Sequence, residues 1–154
     1  KEPDLSQPLD VVSEINLHAP ALLPSDYCSD VQERLTLYKR LANCEADEEL
    51  RDIQEELIDR FGEMPAQTRT LLETHRLRMM VKPYGVQKLD ASESQITVQF
   101  GKDAAIDPVK VIMLIQKDKS TRMSGPDKLI RKIATPELKE RVAAVKTLLD
   151  AVKA

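Results

Sequence analysis

Tryptophan is absent from this 154-residue chain, and Phe and Tyr together make up 3% of it. With so few aromatic side chains, stacking platforms for single-stranded nucleic acid are poorly supported. Histidine is nearly as scarce. His18 and His75 are the only two, and Cys28 and Cys44 are the only cysteines. Metal or catalytic schemes built from several His or Cys side chains therefore lack their parts. Two cysteines so far apart do not read as a zinc cluster, and two buried thiols is the favoured reading over a disulfide. The four glycines, Gly62, Gly85, Gly101 and Gly125, stand singly, so no Gly-rich phosphate loop exists. GxSxG and HExxH patterns are missing too. No apolar run approaches the roughly 18 residues of a membrane span. The start, KEPDLSQPLD, has no apolar core of a signal peptide. A start at Lys1 rather than Met is what a piece of a longer protein would have.

What is present suits one ordinary globular domain: 42% apolar and 32% charged residues, with a net charge of -3. A pI of about 5.5 gives no whole-chain signal for nucleic acid. Residues 1–25, with Pro3, Pro8, Pro20 and Pro24, read as a linker and extended arm in which VVSEINL could form a short strand. Residues 26–154 read as a single domain. Three helices are expected next. In the first, about 26–43, Val31, Leu35, Tyr38 and Ala42 fall on one face. In the second, about 47–61, Asp47 is the expected N-cap, Leu50, Ile53, Leu57 and Phe61 form the stripe, and Gly62 takes the left-handed C′ position. The third, about 65–82, opens with Pro65 at the first helical position. Thr68, Leu71, Leu72, His75 and Met79 share its inner face, and Pro83 and Gly85 end it.

The period then changes from 3.6 to 2. QITVQF at 95–100 is a half-buried strand, and VQKLDA at 86–91 pairs with it as a hairpin. Asp107 and Pro108 open a helix over about 108–117. Its sequence, apolar almost all round, predicts deep burial, although its β-branched residues also allow a strand. Gly125–Pro126 turns a second hairpin, 121–124 with 128–133. Thr135 and Pro136 start the last helix, in which Leu138, Val142, Val145, Leu149 and Val152 form the face packed on the sheet. The predicted architecture is α+β: a helical N-terminal half of three helices, then a small, mainly antiparallel sheet with two further helices.

Charge is polarised along the chain. Glu45 to Glu63 holds nine acids against Arg51 and Arg60, a local balance of -7. On the helical wheel Glu48, Asp52, Glu55, Glu56 and Asp59 lie opposite the leucine stripe. A solvated face is the usual fate of such a pattern, and docking of a basic partner is the functional reading. Lys117 to Ala154 carries ten basic against five acidic residues, or +5. Lys128, Arg131 and Lys132 could touch phosphates, giving the alternative of a nucleic-acid-binding accessory module built on the basic hairpin and last helix. A soluble edge hairpin guarded by charge is the plainer reading.

LLP at 22–24, the run from Arg34 to Ala42 with YKR at 38–40, and ELIDRFG at 56–62 followed by Pro65 resemble the C-terminal domain of bacterial transcription-repair coupling factors (Mfd). Weaker similarity runs through GVQKL at 85–89 and SGPDKL at 124–129. The resemblance implies a regulatory domain, without catalysis or cofactor of its own, of a cytoplasmic ATP-driven DNA translocase in nucleotide excision repair. It implies docking on the UvrB-like module of the same polypeptide. Docked there, the domain masks the arginine-rich surface that binds UvrA and restrains the motor until RNA polymerase is engaged. Glu56, Asp59 and Arg60 are the clamp contacts this implies, with Asp52 and Glu55 in support. A monomer without membrane or direct DNA contact is expected.

Overall fold

The computed structural model describes residues 13–154. The order is β1 (Glu14–Asn16), α1 (Val31–Ala42), α2 (Asp47–Phe61), α3 (Ala66–Val81), β2 (Val86–Ala91), β3 (Gln95–Phe100), α4 (Pro108–Lys117), β4 (Thr121–Ser124), β5 (Lys128–Lys132) and α5 (Leu138–Val152). The fold is α+β, as the change of hydrophobic period implies. The five strands form one sheet in the order β1-β2-β3-β5-β4. Only the β1–β2 pair is parallel, Glu14 opposite Lys88, and the others are antiparallel. The expected strand in VVSEINL is thus realised over Glu14–Asn16. Residues 1–12 of the expected arm lie outside the described residues.

Two apolar clusters hold the fold. One joins Leu89, Ile96, Val98 and Leu129 of the sheet to Val145, Leu148, Leu149 and Val152 of α5. The other packs Leu37 and Leu41 of α1 against Leu50, Ile53 and Leu57 of α2, with Cys28 and Cys44 buried as free thiols. Helix α3 belongs to both: Leu71 and Leu72 enter the helical cluster, Leu77 and Val81 the sheet cluster. His75 sits half-buried between them and accepts from the Arg78 guanidinium at its Nδ1. Burial, and then the neighbouring Arg78, push its pKa below the usual value.

Several local expectations are corrected. On α1 the buried residues are Leu37 and Leu41, while Val31 and Leu35 are exposed. The helix carries two apolar registers. Arg34, whose Nη1 donates to the Cys28 carbonyl at 2.6 Å, and Arg40, which reaches Glu56 on α2, fix the one that faces inward. Asp47 is the first residue of α2, not its cap, which is Ala46. Pro65 is the cap of α3, one place before the expected position, and α5 starts at Leu138 after its cap Glu137 rather than at Thr135 and Pro136. Gly62 has a positive φ of 89° but an extended ψ of -165°, a conformation open to glycine. Gly85, at φ 74°, ends a 3-10 turn over Lys82–Tyr84, and a Cβ there would stand 2.7 Å from the Ala104 Cα.

The largest correction concerns α4. Asp107 caps it through Val109 N–H at 2.9 Å and Pro108 opens it, as expected. It is not deeply buried: only Val111 is, and Val109, Ile112 and Met113 are 62%, 56% and 60% exposed. α5 and the sheet cover one face of the helix. No described element covers the other.

Candidate docking face on the second helix

Leu50, Ile53 and Leu57 fix the rotation of α2 by burying one face. The opposite face then presents Glu48, Asp52, Glu55 and Asp59 to solvent, with the exposed Ile58 at one edge. None of these four carboxylates has an ion-pair partner among the described residues. The helix start carries its own acids, Asp47, Glu48 and Glu49, where the dipole favours them. Asp47 is answered by Arg51 at 3.3 Å and by Arg76 of α3 at 2.9 Å.

Glu56 and Arg60 occupy a different place. They lie on the flank of α2 that faces α1. The Arg40 guanidinium donates through both terminal nitrogens to the Glu56 carboxylate, at 2.8 and 2.9 Å. Arg60 donates to the same carboxylate at 3.1 Å and also to Glu33 of α1. The result is an alternating chain, Arg40–Glu56–Arg60–Glu33, that ties the two helices. The Arg40 fork is the main reason that the Glu56 carboxyl titrates below the usual carboxylate range. Arg60 also lies over the Phe61 ring, 4.8 Å from its centre. Phe61 in turn meets Tyr27, whose hydroxyl donates to the Leu57 and Gly62 carbonyls at 3.1 and 2.8 Å.

Residues 56–62 therefore divide by role. Leu57 is core, Glu56, Arg60 and Phe61 join α2 to its neighbours, and Ile58 and Asp59 face outward. Of the five expected contact residues, the structure groups Asp52, Glu55 and Asp59 on the open face and sets Glu56 and Arg60 at its rim. The helical wheel does not reveal Arg40 and Glu33 as partners, because they belong to another helix. Ile58, exposed at the edge of the face away from Glu56 and Arg60, is hidden in the sequence among the leucines of the stripe.

This face offers exposed charge, with an apolar contact at its edge. No group of three or more His, Cys, Asp or Glu side chains among the described residues is arranged to hold a metal ion. The basic candidates are not gathered into a patch. The period of two places Lys128 and Lys132 on one face of β5 and Arg131 on the other, where Asp118 holds it at 3.1 Å.

Comparison with known proteins bears on the family and the fold of the chain. A family profile, the TRCF domain, matches residues 17–111. The transcription-repair-coupling factor of Haemophilus influenzae is 42% identical over 129 residues, 83% of this chain and 11% of the relative. That of Escherichia coli is 38% identical over 130 residues, 84% of this chain and 11% of the relative. The chain thus spans about a tenth of these curated relatives. A crystal structure of the C-terminal domain of a transcription-repair coupling factor superposes with a TM-score of 0.73 at 24% identity, over 90% of this chain and 92% of that one, which is a likeness of fold. Profile and relatives together assign the chain to the TRCF domain family of the transcription-repair coupling factors.

Proposed function

We propose that this domain is an autoinhibitory interaction module of a cytoplasmic transcription-repair coupling factor. It docks on the UvrB-like module of the same polypeptide, masks the UvrA-binding surface and restrains the DNA translocase motor until RNA polymerase is engaged. One observation carries the reading: α2 keeps an open face of Glu48, Asp52, Glu55 and Asp59 with no cation among the described residues to answer it. An arginine-rich partner surface is its natural complement. Asp52, Glu55 and Asp59 make direct contacts in this reading, and Glu56 and Arg60 form the rim.

Exposed ion pairs contribute about 0.2–1 kcal/mol each, so a clamp made of them is weak. Weakness suits a switch, because a competing partner with modest differential affinity can open it. Tethering within one polypeptide raises the local concentration to about millimolar and keeps such a clamp closed at rest. The accessory nucleic-acid reading has less support, since Asp118 already holds Arg131.

The test is calorimetric titration of this chain against the isolated UvrB-like module of its parent at low and moderate salt. Binding that weakens with salt and with reversal of Asp52, Glu55 and Asp59 is the expected result. Salt-insensitive binding, or binding indifferent to those reversals, refutes the acidic face as the contact. A gel shift on duplex DNA with a steep salt slope would favour the basic module instead.

A further inference from the structure

Helix α4 has two apolar faces, and among the described residues only one of them is covered. Val111, Leu114 and Ile115 pack on the sheet cluster. Val109, Ile112, Met113 and Gln116, at spacings i, i+3, i+4 and i+7, face solvent. Beside this stripe runs a cleft of about 490 Å³ between α4 and the end of α5, lined by Lys110, Met113, Leu114, Gln116, Lys117 and Ala151. Lys110 and Lys117 stand two turns apart along it. The Lys110 ammonium is held at the rim by the Lys153 carbonyl, at 2.9 Å. Among the described residues no carboxylate lines the cleft. The nearest acids in sequence are engaged: Asp107 caps the helix, and Asp118 accepts from Ser120 and Thr121 and pairs with Arg131.

We infer that this face is a second docking surface, and that it takes an acidic amphipathic helix of a protein partner. The stripe has the spacing that a partner helix reads, with the groove between α4 and α5 as its seat. Charge selects the occupant. A helix carrying carboxylates beside its apolar anchors would answer Lys110 and Lys117, whereas a second copy of α4 would set lysine against lysine. An apolar stripe is also a poor match for a phosphate backbone, which asks for charge along its length. The surface is opposite in sign to the α2 face and independent of what that face binds.

The test uses this chain and two fluorescein-labelled helical peptides of about 18 residues, long enough to hold helical structure. Both carry Leu at i, i+3, i+4 and i+7. One has Glu on the flanks and the other Lys. Fluorescence anisotropy is expected to show binding of the Glu peptide and not of the Lys peptide. Ile112→Asp with Met113→Asp should weaken it by about tenfold or more, and Lys110→Glu with Lys117→Glu should exchange the preference for peptide charge. These side chains are exposed, so melting followed by circular dichroism should stay unchanged and separates lost binding from lost fold. Equal binding of the two peptides, no binding of the Glu peptide, or binding indifferent to the α4 substitutions overturns the inference. A dimer in sedimentation that Ile112→Asp with Met113→Asp abolishes assigns the face to a second copy. Stronger binding to phosphatidylglycerol vesicles than to the Glu peptide assigns it to a membrane surface. Either result overturns the inference as well.

Discussion

Glu56 and Asp59 are three residues apart on one helix, yet their neutralisation should affect different properties. Glu56 is 33% exposed in its side chain and accepts from Arg40 and Arg60. Partly exposed pairs of this kind contribute about 0.2–1 kcal/mol each, and the two-pronged Arg40 fork belongs near the upper end. Glu56→Gln should therefore cost about 1 kcal/mol. Glu56→Lys, which sets a cation against two arginines, should cost about 2 kcal/mol. For a domain of this size 1 kcal/mol moves Tm by roughly 2–4 °C, so Glu56→Lys should lower Tm by roughly 4–8 °C. Asp59 has no ion-pair partner among the described residues, and Asp59→Asn should stay within about 0.5 kcal/mol of the parent. Docking should show the reverse. Neutralising Asp52, Glu55 and Asp59 together removes about 0.6–3 kcal/mol of rim attraction, or about 3- to 150-fold in Kd for the UvrB-like module. Urea unfolding and calorimetric titration of the same variants read the two quantities separately. If Asp59→Asn destabilises the fold as much as Glu56→Gln, the division of roles is wrong. If the triple neutral variant docks undiminished, the open face is a solvated surface only.

Further predictions concern the frame that holds these faces. Arg141 is 3% exposed and donates to the Leu17 carbonyl at 2.5 Å, to Thr135 at 2.8 Å and to Pro136 at 3.3 Å, so it pins the end of β1 to the start of α5. Arg141→Met strands those carbonyls and should cost about 2–4 kcal/mol in urea unfolding, with hydrogen exchange fastest in Glu14–Asn16. A cost below about 1 kcal/mol would mean that water replaces the guanidinium. Gly85→Ala combines a strained positive φ with a clash on the Ala104 backbone and should lose about 2 kcal/mol or more in the same assay. His75, held below its usual pKa, binds protons more readily when unfolded. Its contribution is complete above about pH 6.5 and falls as pH drops through the folded-state value. His75→Gln should flatten that limb of a urea-midpoint profile against pH. Glu56 has the same sign at lower pH, so Glu56→Gln should flatten the profile below about pH 4.5.

Much of this protein is written in short-range patterns. The alternation in QITVQF and the Asp107–Pro108 start set β3 and α4 at the expected bounds, because each pattern is satisfied by the backbone of its own segment. Leu50, Ile53 and Leu57 likewise determined which side of α2 faces water, and with it the carboxylate face. On α1 the same logic is ambiguous, since Val31–Leu35 and Leu37–Leu41 are both apolar pairs four apart. Contacts from Arg34 and Arg40 to other segments choose between them.

Tertiary structure decided what periodicity has no means to express. Amphipathicity reports that a side chain is apolar, not whether another element arrives to cover it. The apolar girdle of α4 therefore implied burial, while α5 and the sheet meet only one side of it. A wheel shows which carboxylates share a helix face, but a partner on a second helix is set by how the two helices cross. Glu56 and Arg60 are for that reason joined to Arg40 and Glu33, and Asp52, Glu55 and Asp59 are left open. Composition and local period determined the elements and their charge. The packing of the five described helices and a five-stranded sheet determined which of those charges and apolar faces are still unanswered.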